Sequence, residues 1–227
     1  MSNEVLWIVF LIVDLLFTLI TFKIFGKKGL FALIAANIIL CNIQVAKTIE
    51  LFGFTVTLGN ILYGSIFLST DLLSEFFGKK EARQGVIIGF FFMLFMTVVM
   101  QLALFFVPTE EGLVVHEALT VIFSVMPRIA AGSLAAYLVS QLHDVWAFNF
   151  WKVKTGGKKL WLRNNLSTLV SQAIDSLIFC FIAFWGMEQS ILIEIIITTY
   201  IMKVFVAIAD TPFIYIAKKI CPSDQIA

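Results

Sequence analysis

Four charged residues lie well inside long apolar segments of the sequence. They are the cations Arg128 and Lys203 and the acids Asp14 and Asp175. A lone charge at the centre of a membrane-spanning helix costs about 2.5–3.5 kcal/mol on insertion scales. Cations and acids at a similar depth can neutralise one another, and they can also bind a polar solute. We therefore expect a polar layer near the middle of a helical bundle.

Polar residues recur at helical spacing, so that several segments present one polar face. Such faces are formed by Thr168, Ser171, Gln172 and Asp175, by Thr199, Lys203, Val206 and Asp210, by Asn60, Gly64, Phe67, Asp71 and Glu75, and by Asn37, Cys41 and Gln44. One interpretation is that the charges form structural ion pairs that only hold helices together. The other is a cavity that binds and passes a solute. Converging polar faces on four or five segments favour the cavity.

No motif in the sequence indicates an enzyme. A Ser–His–Asp arrangement, an HExxH helix and a glycine-rich phosphate loop are all missing from the sequence. His116 and His143 are too far apart for a metal pair, and Cys41, Cys180 and Cys221 lie at unrelated depths. We expect no catalytic residues, no cofactor, no metal and no nucleic-acid partner.

The composition is typical of a polytopic membrane protein. Of 227 residues, 60% are hydrophobic and 14% are charged, whereas a soluble domain has roughly 45–50% apolar and about 25% charged residues. A helix needs about 20 apolar residues to cross a bilayer. We predict an all-α polytopic integral membrane protein with a single transmembrane domain over residues 1–227. Its seven predicted spans cover about residues 5–25, 29–47, 59–77, 84–107, 118–146, 164–187 and 190–217.

The basic residues indicate how these spans are oriented. Lys and Arg cluster in the first, third and fifth connections and after the last span, whereas the alternate connections carry acids. Cytoplasmic loops carry an excess of Lys and Arg. We predict an N-terminus outside, a C-terminus in the cytoplasm and a multi-pass location in a bacterial plasma membrane. The basic loop at 152–163 is expected to contact anionic membrane lipid as well.

Four motifs follow one another between about residues 35 and 220. They are "FLSTDLLSEFFGKKEAR" (67–83), "RIAAGSLAAYLVSQLHDVWAFN" (128–149), "STLVSQAIDSLIFCFIAFWG" (167–186) and "YIMKVFVAIADTPFIY" (200–215). The first resembles the T-D-x-x-x-E-x-[YF]-G-[KR] signature of the queuosine precursor transporters, also called the vitamin uptake transporter family. The others are similar to that family's Arg-led span ending in D-x-x-x-F-N, its S-T…D-[ST] span and its closing K-V…T-P…Y segment.

The resemblance implies import of 7-deazaguanine bases, the precursors from which cells complete queuosine in tRNA. The motif positions in this sequence are Asp71, Glu75, Arg128, Asp144, Asn149, Asp175 and Lys203. The family's last span often carries an acid one turn after the lysine, where this chain has Ala207, and Asp210 follows a turn later. We take Glu75, Asp144, Asn149 and Asp210 as candidates for coupling or gating.

A 7-deazaguanine base is flat and presents a donor edge beside a carbonyl acceptor. One carboxylate can accept both donors, and charge-assisted hydrogen bonds are the stronger ones, so we predict that Asp175 holds the donor edge. Arg128, Gln172 or Asn42 would donate to the carbonyl, and Phe67 would stack on the base. Asp175 is expected to pair with Arg128 when the site is empty. The full predicted substrate set is Asn42, Phe67, Asp71, Arg128, Gln172, Asp175 and Lys203.

Two alternatives remain within transport. The chain could be the substrate-binding subunit of an energy-coupling-factor vitamin importer, or a carrier for another small heterocycle. Such a subunit needs small-residue motifs in its first span to dock its partner, but "VLWIVFLIVDLLFTLITF" contains no Ala or Gly. This favours a self-sufficient carrier, either as a monomer or as a homo-oligomer.

Overall fold

The described part of the chain forms seven α-helices and one short β-hairpin. The computed structural model describes residues 2–156 and 160–220, and it describes side-chain surroundings for these except at 145, 148, 149, 152, 160–165, 168 and 207. The elements are α1 (Asn3–Val45), β1 (Thr48–Leu51), β2 (Phe54–Thr57), a 3-10 turn (Leu58–Asn60), α2 (Tyr63–Leu72), a π turn (Leu73–Phe77), α3 (Lys79–Leu104), α4 (Leu113–Phe123), α5 (Met126–Lys154), α6 (Leu160–Ala183) and α7 (Gln189–Ile220).

Helix α1 is broken near its middle into two halves. Gly26 has non-helical angles (φ 56°, ψ −139°), a backbone conformation that glycine adopts without the steric cost of a Cβ. The side chain of Asn3 donates a 3.0 Å hydrogen bond to the carbonyl of Glu50, just beyond the end of α1. The halves therefore run antiparallel, and the predicted segments 5–25 and 29–47 lie on one half each.

A β-hairpin follows α1, although the sequence had indicated only a connection at 48–57. Strands β1 and β2 pair antiparallel, and the turn between them uses Phe52 (φ 52°) and Gly53 (φ 79°). Two residues with positive φ form the tight turn that suits the twist of a hairpin. The hydroxyl of Thr198 on α7 donates a 3.4 Å hydrogen bond to the Thr55 carbonyl. The all-α prediction is therefore wrong for this segment, which packs against the ends of α1 and α7.

The predicted span at 118–146 is not one continuous helix. Helix α4 ends at Phe123 and α5 begins at Met126, with a two-residue turn between them. Pro127 occupies the first turn of α5, where its missing N–H is not needed and its fixed φ suits a helix start. Arg128 consequently lies in the first turn of α5 and is exposed. The prediction that the Arg128 side chain points into the bundle is wrong, because that side chain is exposed.

Several helices have the length and composition of membrane spans. Among the described residues, four stretches are long and apolar enough to cross a membrane, and one shorter apolar helix lies at 169–183. The four are Asn3–Val45, Lys79–Leu104, Leu113–Asp144 and Gln189–Ile220. On α3 the large side chains of Phe91, Phe95 and Val98 are exposed, as expected for a helix that faces lipid. The fold is that of a helical, multi-pass membrane protein.

Candidate functional site

A buried ion pair joins α6 and α7 in the interior of the bundle. The Lys203 ammonium donates to Asp175 Oδ2, and both residues are only 2% exposed. The hydroxyl of Ser140 on α5 donates a 3.2 Å hydrogen bond to the other carboxylate oxygen, Oδ1. A buried charge needs a partner and further hydrogen bonds to offset its lost hydration. Three helices therefore meet at the Asp175 carboxylate.

The lysine of this pair also contacts an aromatic ring from α2. Its Nζ lies 4.1 Å from the centroid of Tyr63, close enough for a cation–π interaction. Tyr63 in turn stacks on Phe67, with centroids 6.0 Å apart and an angle of 28° between the rings. The sequence predicted Phe67 but missed Tyr63. The spacing i, i+4 between the two aromatics was the available signal, because it places both on one face of a helix.

Helices α5 and α6, which both bond to the Asp175 carboxylate or carry it, also hold buried polar atoms without a hydrogen-bond partner. Among the described residues these include Gln172 Oε1, Ser176 Oγ and the Tyr137 hydroxyl. Gln172 and Ser176 flank Asp175 on α6, and the Tyr137 side chain interacts electrostatically with Asp175. Buried polar groups normally have partners in native structures. This cluster therefore offers hydrogen-bonding capacity that the described protein groups leave unused.

Asn42 belongs to the same interior region. Its amide group donates to the Ile38 carbonyl at 2.7 Å, and its carbonyl oxygen accepts a 2.7 Å hydrogen bond from Ser133 on α5. The neighbouring residue Cys41 interacts electrostatically with Lys203 and Asp175. The structure therefore brings five of the predicted residues into one polar region, namely Asn42, Phe67, Gln172, Asp175 and Lys203.

Arg128 is separate from that region. Its guanidinium donates to the backbone carbonyls of Ile182 (2.9 Å) and Trp185 at the end of α6. A cation at this place balances the partial negative charge of the helix C-terminus and satisfies carbonyls that have no helical partner. The predicted Arg128–Asp175 pair is wrong, because Lys203 is the partner of Asp175.

A second acidic region lies further along α2 and α7. Asp210 is buried and interacts electrostatically with Asp71. Glu75 forms a 2.7 Å ion pair with Lys218 between partly exposed side chains. Asp71, Glu75 and Asp210 are therefore near one another, but Asp210 is two helical turns beyond Lys203, or about 10 Å along the axis.

A third group of polar residues lies between α5 and α6. The Ser171 hydroxyl donates a 3.3 Å hydrogen bond to Asp144 Oδ1 and lies 3.0 Å from His143 Nδ1. Among the side chains that the structure describes, Asp144 is therefore held by a hydroxyl group of the neighbouring helix α6. The predicted gating residue Asn149 lies outside the residues whose side chains are described.

Comparison with known proteins identifies the protein family of the chain. The model of the family described as "Putative vitamin uptake transporter" matches residues 57–217. The chain is 42% identical over 227 residues to the "Probable queuosine precursor transporter" of Bacillus subtilis, covering 99% of each protein. It is 31% identical over 171 residues to the "Queuosine precursor transporter" of Escherichia coli, covering 74% of each. No solved structure matches the chain significantly.

The chain belongs to this transporter family. As a member of the queuosine precursor transporter family, it is a multi-pass membrane transporter and not an enzyme. The group of His143, Ser171 and Asp144 contains the three residue types of a catalytic triad, but its hydrogen bonds differ from those of a triad. Ser171 donates to the aspartate here, whereas a catalytic serine donates to a histidine that the aspartate orients. The group is therefore a helix contact.

Proposed function

We propose that the chain imports 7-deazaguanine precursors of queuosine and binds them at the Asp175–Lys203 pair. The observation that carries this proposal is the buried pair with unpartnered polar atoms around it. A pair that only joined two helices would not need unused acceptors at Gln172, Ser176 and Tyr137. A small polar solute would use them.

The arrangement suits the two edges of a 7-deazaguanine base. Asp175 can accept from the ring N–H and the exocyclic amine together, because a carboxylate has two oxygens in one plane. Lys203, whose ammonium is beside that carboxylate, would then donate to the base carbonyl. Tyr63 and Phe67, which already stack on each other, would offer a ring to the base face. Stacking of this kind contributes about 1–3 kcal/mol by comparison with nucleic-acid bases.

Substrate binding would also weaken the contact between two helices. In the structure Asp175 on α6 bonds directly to Lys203 on α7. A base that hydrogen-bonds to both side chains would replace their direct contact with separate hydrogen bonds from the base to Asp175 and to Lys203. Occupancy would thereby change the spacing of α6 and α7, which gives a physical link between binding and helix movement.

We place the site in a single bundle that crosses the plasma membrane seven times, with the N-terminus outside and the C-terminus in the cytoplasm. The antiparallel halves of α1 support two of these crossings. The remaining crossings would be α2 with its π turn, α3, α4 with α5, α6 and α7. The distribution of Lys and Arg supports the orientation.

The test is the queuosine content of tRNA in a bacterial host that lacks both queuosine synthesis and its own importer. Cells expressing the chain would receive a 7-deazaguanine precursor base at nanomolar concentration. We expect queuosine with the wild type and with Glu194→Gln, which removes an exposed acid from α7. We expect none with Asp175→Asn, which removes the charged acceptor.

Two results would contradict the proposal. Absence of queuosine with the wild type, despite correct membrane insertion, would exclude precursor import. Full queuosine with Asp175→Asn would leave import standing but remove Asp175 from the binding site.

A further inference from the structure

Helices α5 and α6 contain the same short pattern of residues. The two segments are "LVSQLHDVWAFNF" (138–150) and "LVSQAIDSLIFCF" (169–181). Both begin with Leu-Val-Ser-Gln, both have an aspartate four residues after the serine, and both have phenylalanines four and six residues after the aspartate. The agreement in residue type and spacing indicates an internal repeat.

The two segments bond to each other reciprocally. The Ser140 hydroxyl donates a 3.2 Å hydrogen bond to Asp175 Oδ1, and the Ser171 hydroxyl donates a 3.3 Å hydrogen bond to Asp144 Oδ1. The serine of each segment therefore contacts the aspartate of the other. Because positions that increase on α5 meet positions that decrease on α6, the helices run antiparallel. A local two-fold axis passes between them, midway between the two bonds.

The burial of equivalent positions agrees with this symmetry. Ser140 and Ser171 are 3% and 4% exposed, whereas Val139 and Val170 are 46% and 50% exposed. Each segment therefore turns the same face toward the other helix. Antiparallel repeats of this kind are common in transporters, where the substrate site lies at the interface of the repeats.

The two aspartates are equivalent in the repeat, but their surroundings differ. Asp175 is 2% exposed and forms an ion pair with Lys203, whereas Asp144 is only partly buried. His143 Nδ1 lies 3.0 Å from the Ser171 hydroxyl oxygen. Since that hydroxyl donates its hydrogen to Asp144, Nδ1 is the donor in this contact. Each carboxylate region therefore contains a nitrogen donor, an ammonium in one and an imidazole in the other.

Asp144 lies closer than Asp175 to the end of the bundle where α5 finishes at Lys154. On α5 it is four residues beyond Ser140, the residue that bonds to Asp175, and this spacing corresponds to about 6 Å along the axis. Gln172 falls between these two levels. It is 1% exposed, and its Oε1 has no hydrogen-bond partner among the described residues. An unused acceptor therefore lies between the levels of the two carboxylates.

We propose that Asp144 and His143 form a second binding site for the 7-deazaguanine base, on the cytoplasmic side of the first. This inference rests on the proposed import function and adds a step to it. Asp144 would accept from the ring N–H and the exocyclic amine, as Asp175 does, and His143 would donate to the base carbonyl in place of Lys203. The Ser171–Asp144 contact between the helices opens to admit the base.

The two-fold relation explains how one pair of helices serves both sites. The local axis lies between the Ser140–Asp175 bond and the Ser171–Asp144 bond. A rocking movement of α5 on α6 about that point loosens one bond while it tightens the other. Rocking of repeats around a substrate site is a common route to alternating access. The base would therefore meet one open carboxylate at a time.

The test uses membrane vesicles that carry the full chain and a radiolabelled 7-deazaguanine precursor base. Right-side-out vesicles present the outer face of the protein to the labelled base, and inside-out vesicles present the cytoplasmic face. Counterflow exchanges labelled for unlabelled base without a driving gradient. Its half-saturating concentration is measured from each face for each variant.

Asp144→Asn should raise the half-saturating concentration at least tenfold from the cytoplasmic face, because the second site loses its charged acceptor. From the outer face the value should stay within twofold of wild type, because Asp175 still binds the base there. Retained exchange from the outer face also shows that the variant is folded. Asp144→Glu keeps a carboxylate and should recover most of the cytoplasmic value. Glu194→Gln on α7 is the control and should match wild type from both faces.

A rise of equal size from both faces would overturn the inference, because a contact that only holds two helices together has that effect. A lower exchange rate with unchanged half-saturation would assign Asp144 to a gate and would also overturn it, as would the absence of any change. If Asp144→Asn does not insert into the membrane, His143→Ala decides by the same criteria, with an expected rise of at least threefold from the cytoplasmic face. Absence of wild-type exchange would contradict the proposed substrate and this inference together.

Discussion

At the scale of single residues, the proposed binding site centres on the buried pair between Asp175 and Lys203. Changing only one partner, as in Asp175→Asn or Lys203→Gln, leaves an uncompensated buried charge or an unmatched donor. Breaking a buried pair in this way costs about 3–5 kcal/mol. We therefore expect each single variant to have a lower melting temperature in detergent and to lose transport.

The double variant Asp175→Asn with Lys203→Gln separates the two roles. It removes both charges of this pair, so its melting temperature should recover toward the wild-type value. Transport should stay absent, because the charged acceptor for the base is missing. Recovery of both stability and transport would show that the pair is only structural.

The sequence allowed part of this site to be predicted. Asp175 and Lys203 are identifiable because a charge in an apolar segment is rare and costly. Their pairing was not predictable, because depth along a helix does not reveal which neighbouring helix a residue faces. Arg128 illustrates the error, since it lies in the first turn of α5 and its side chain reaches carbonyls at the end of α6 rather than Asp175. Tyr63 was missed because tyrosine is unremarkable in an apolar segment.

At the scale of secondary-structure elements, Arg128 connects helices α5 and α6. It holds two carbonyls at the end of α6 from the first turn of α5. Hydrogen bonds to a charged group contribute about 1.5–3 kcal/mol each. Arg128→Gln should therefore lower the melting temperature of the protein while the Kd for the precursor base stays within twofold of wild type. A large loss of affinity at unchanged stability would instead place Arg128 in the substrate site.

The packing of α2 on α7 gives a second prediction at this scale. A Cβ at position 64 would lie 2.6 Å from the side chain of Val206, which is too close. Gly64→Ala should destabilise the protein by about 1–3 kcal/mol, as overpacked cores usually do. Val206→Ala in the same chain makes room and should restore most of the melting temperature. No destabilisation by Gly64→Ala alone would contradict this helix contact.

The apolar segments were readable from the sequence, but the irregular elements were not. Long apolar stretches predict helices well because the bilayer core offers no water to the backbone N–H and C=O groups. A helix satisfies these groups by hydrogen bonds within one segment. The two strands of the hairpin at 48–57 do alternate between polar and apolar residues, but each is only four residues long, and the turn "FG" lacks the usual Asn or Asp. The break at 124–125 and the π turn depend on tertiary packing, which periodicity does not report.

At the scale of the whole molecule, the proposed orientation makes opposite ends of the bundle accessible from opposite sides. Phe52 is exposed at the tip of the hairpin, and Lys154 is exposed at the end of α5. In a Cys221→Ser background, Phe52→Cys should react with a membrane-impermeant maleimide in intact cells. Lys154→Cys should react only after permeabilisation. Cys41 and Cys180 are buried and should stay unlabelled. The reverse labelling pattern would invert the proposed topology.

The most direct test of the central claim is a calorimetric titration of the purified chain with a 7-deazaguanine precursor base. Wild type should bind one base saturably and should not bind adenine, which lacks the carbonyl and the ring N–H that the site recognises. Asp175→Asn should bind at least roughly 100-fold more weakly, because it loses a charged acceptor for two hydrogen bonds. Equal affinity for the base in wild type and Asp175→Asn would contradict the assignment of the buried pair as the substrate site.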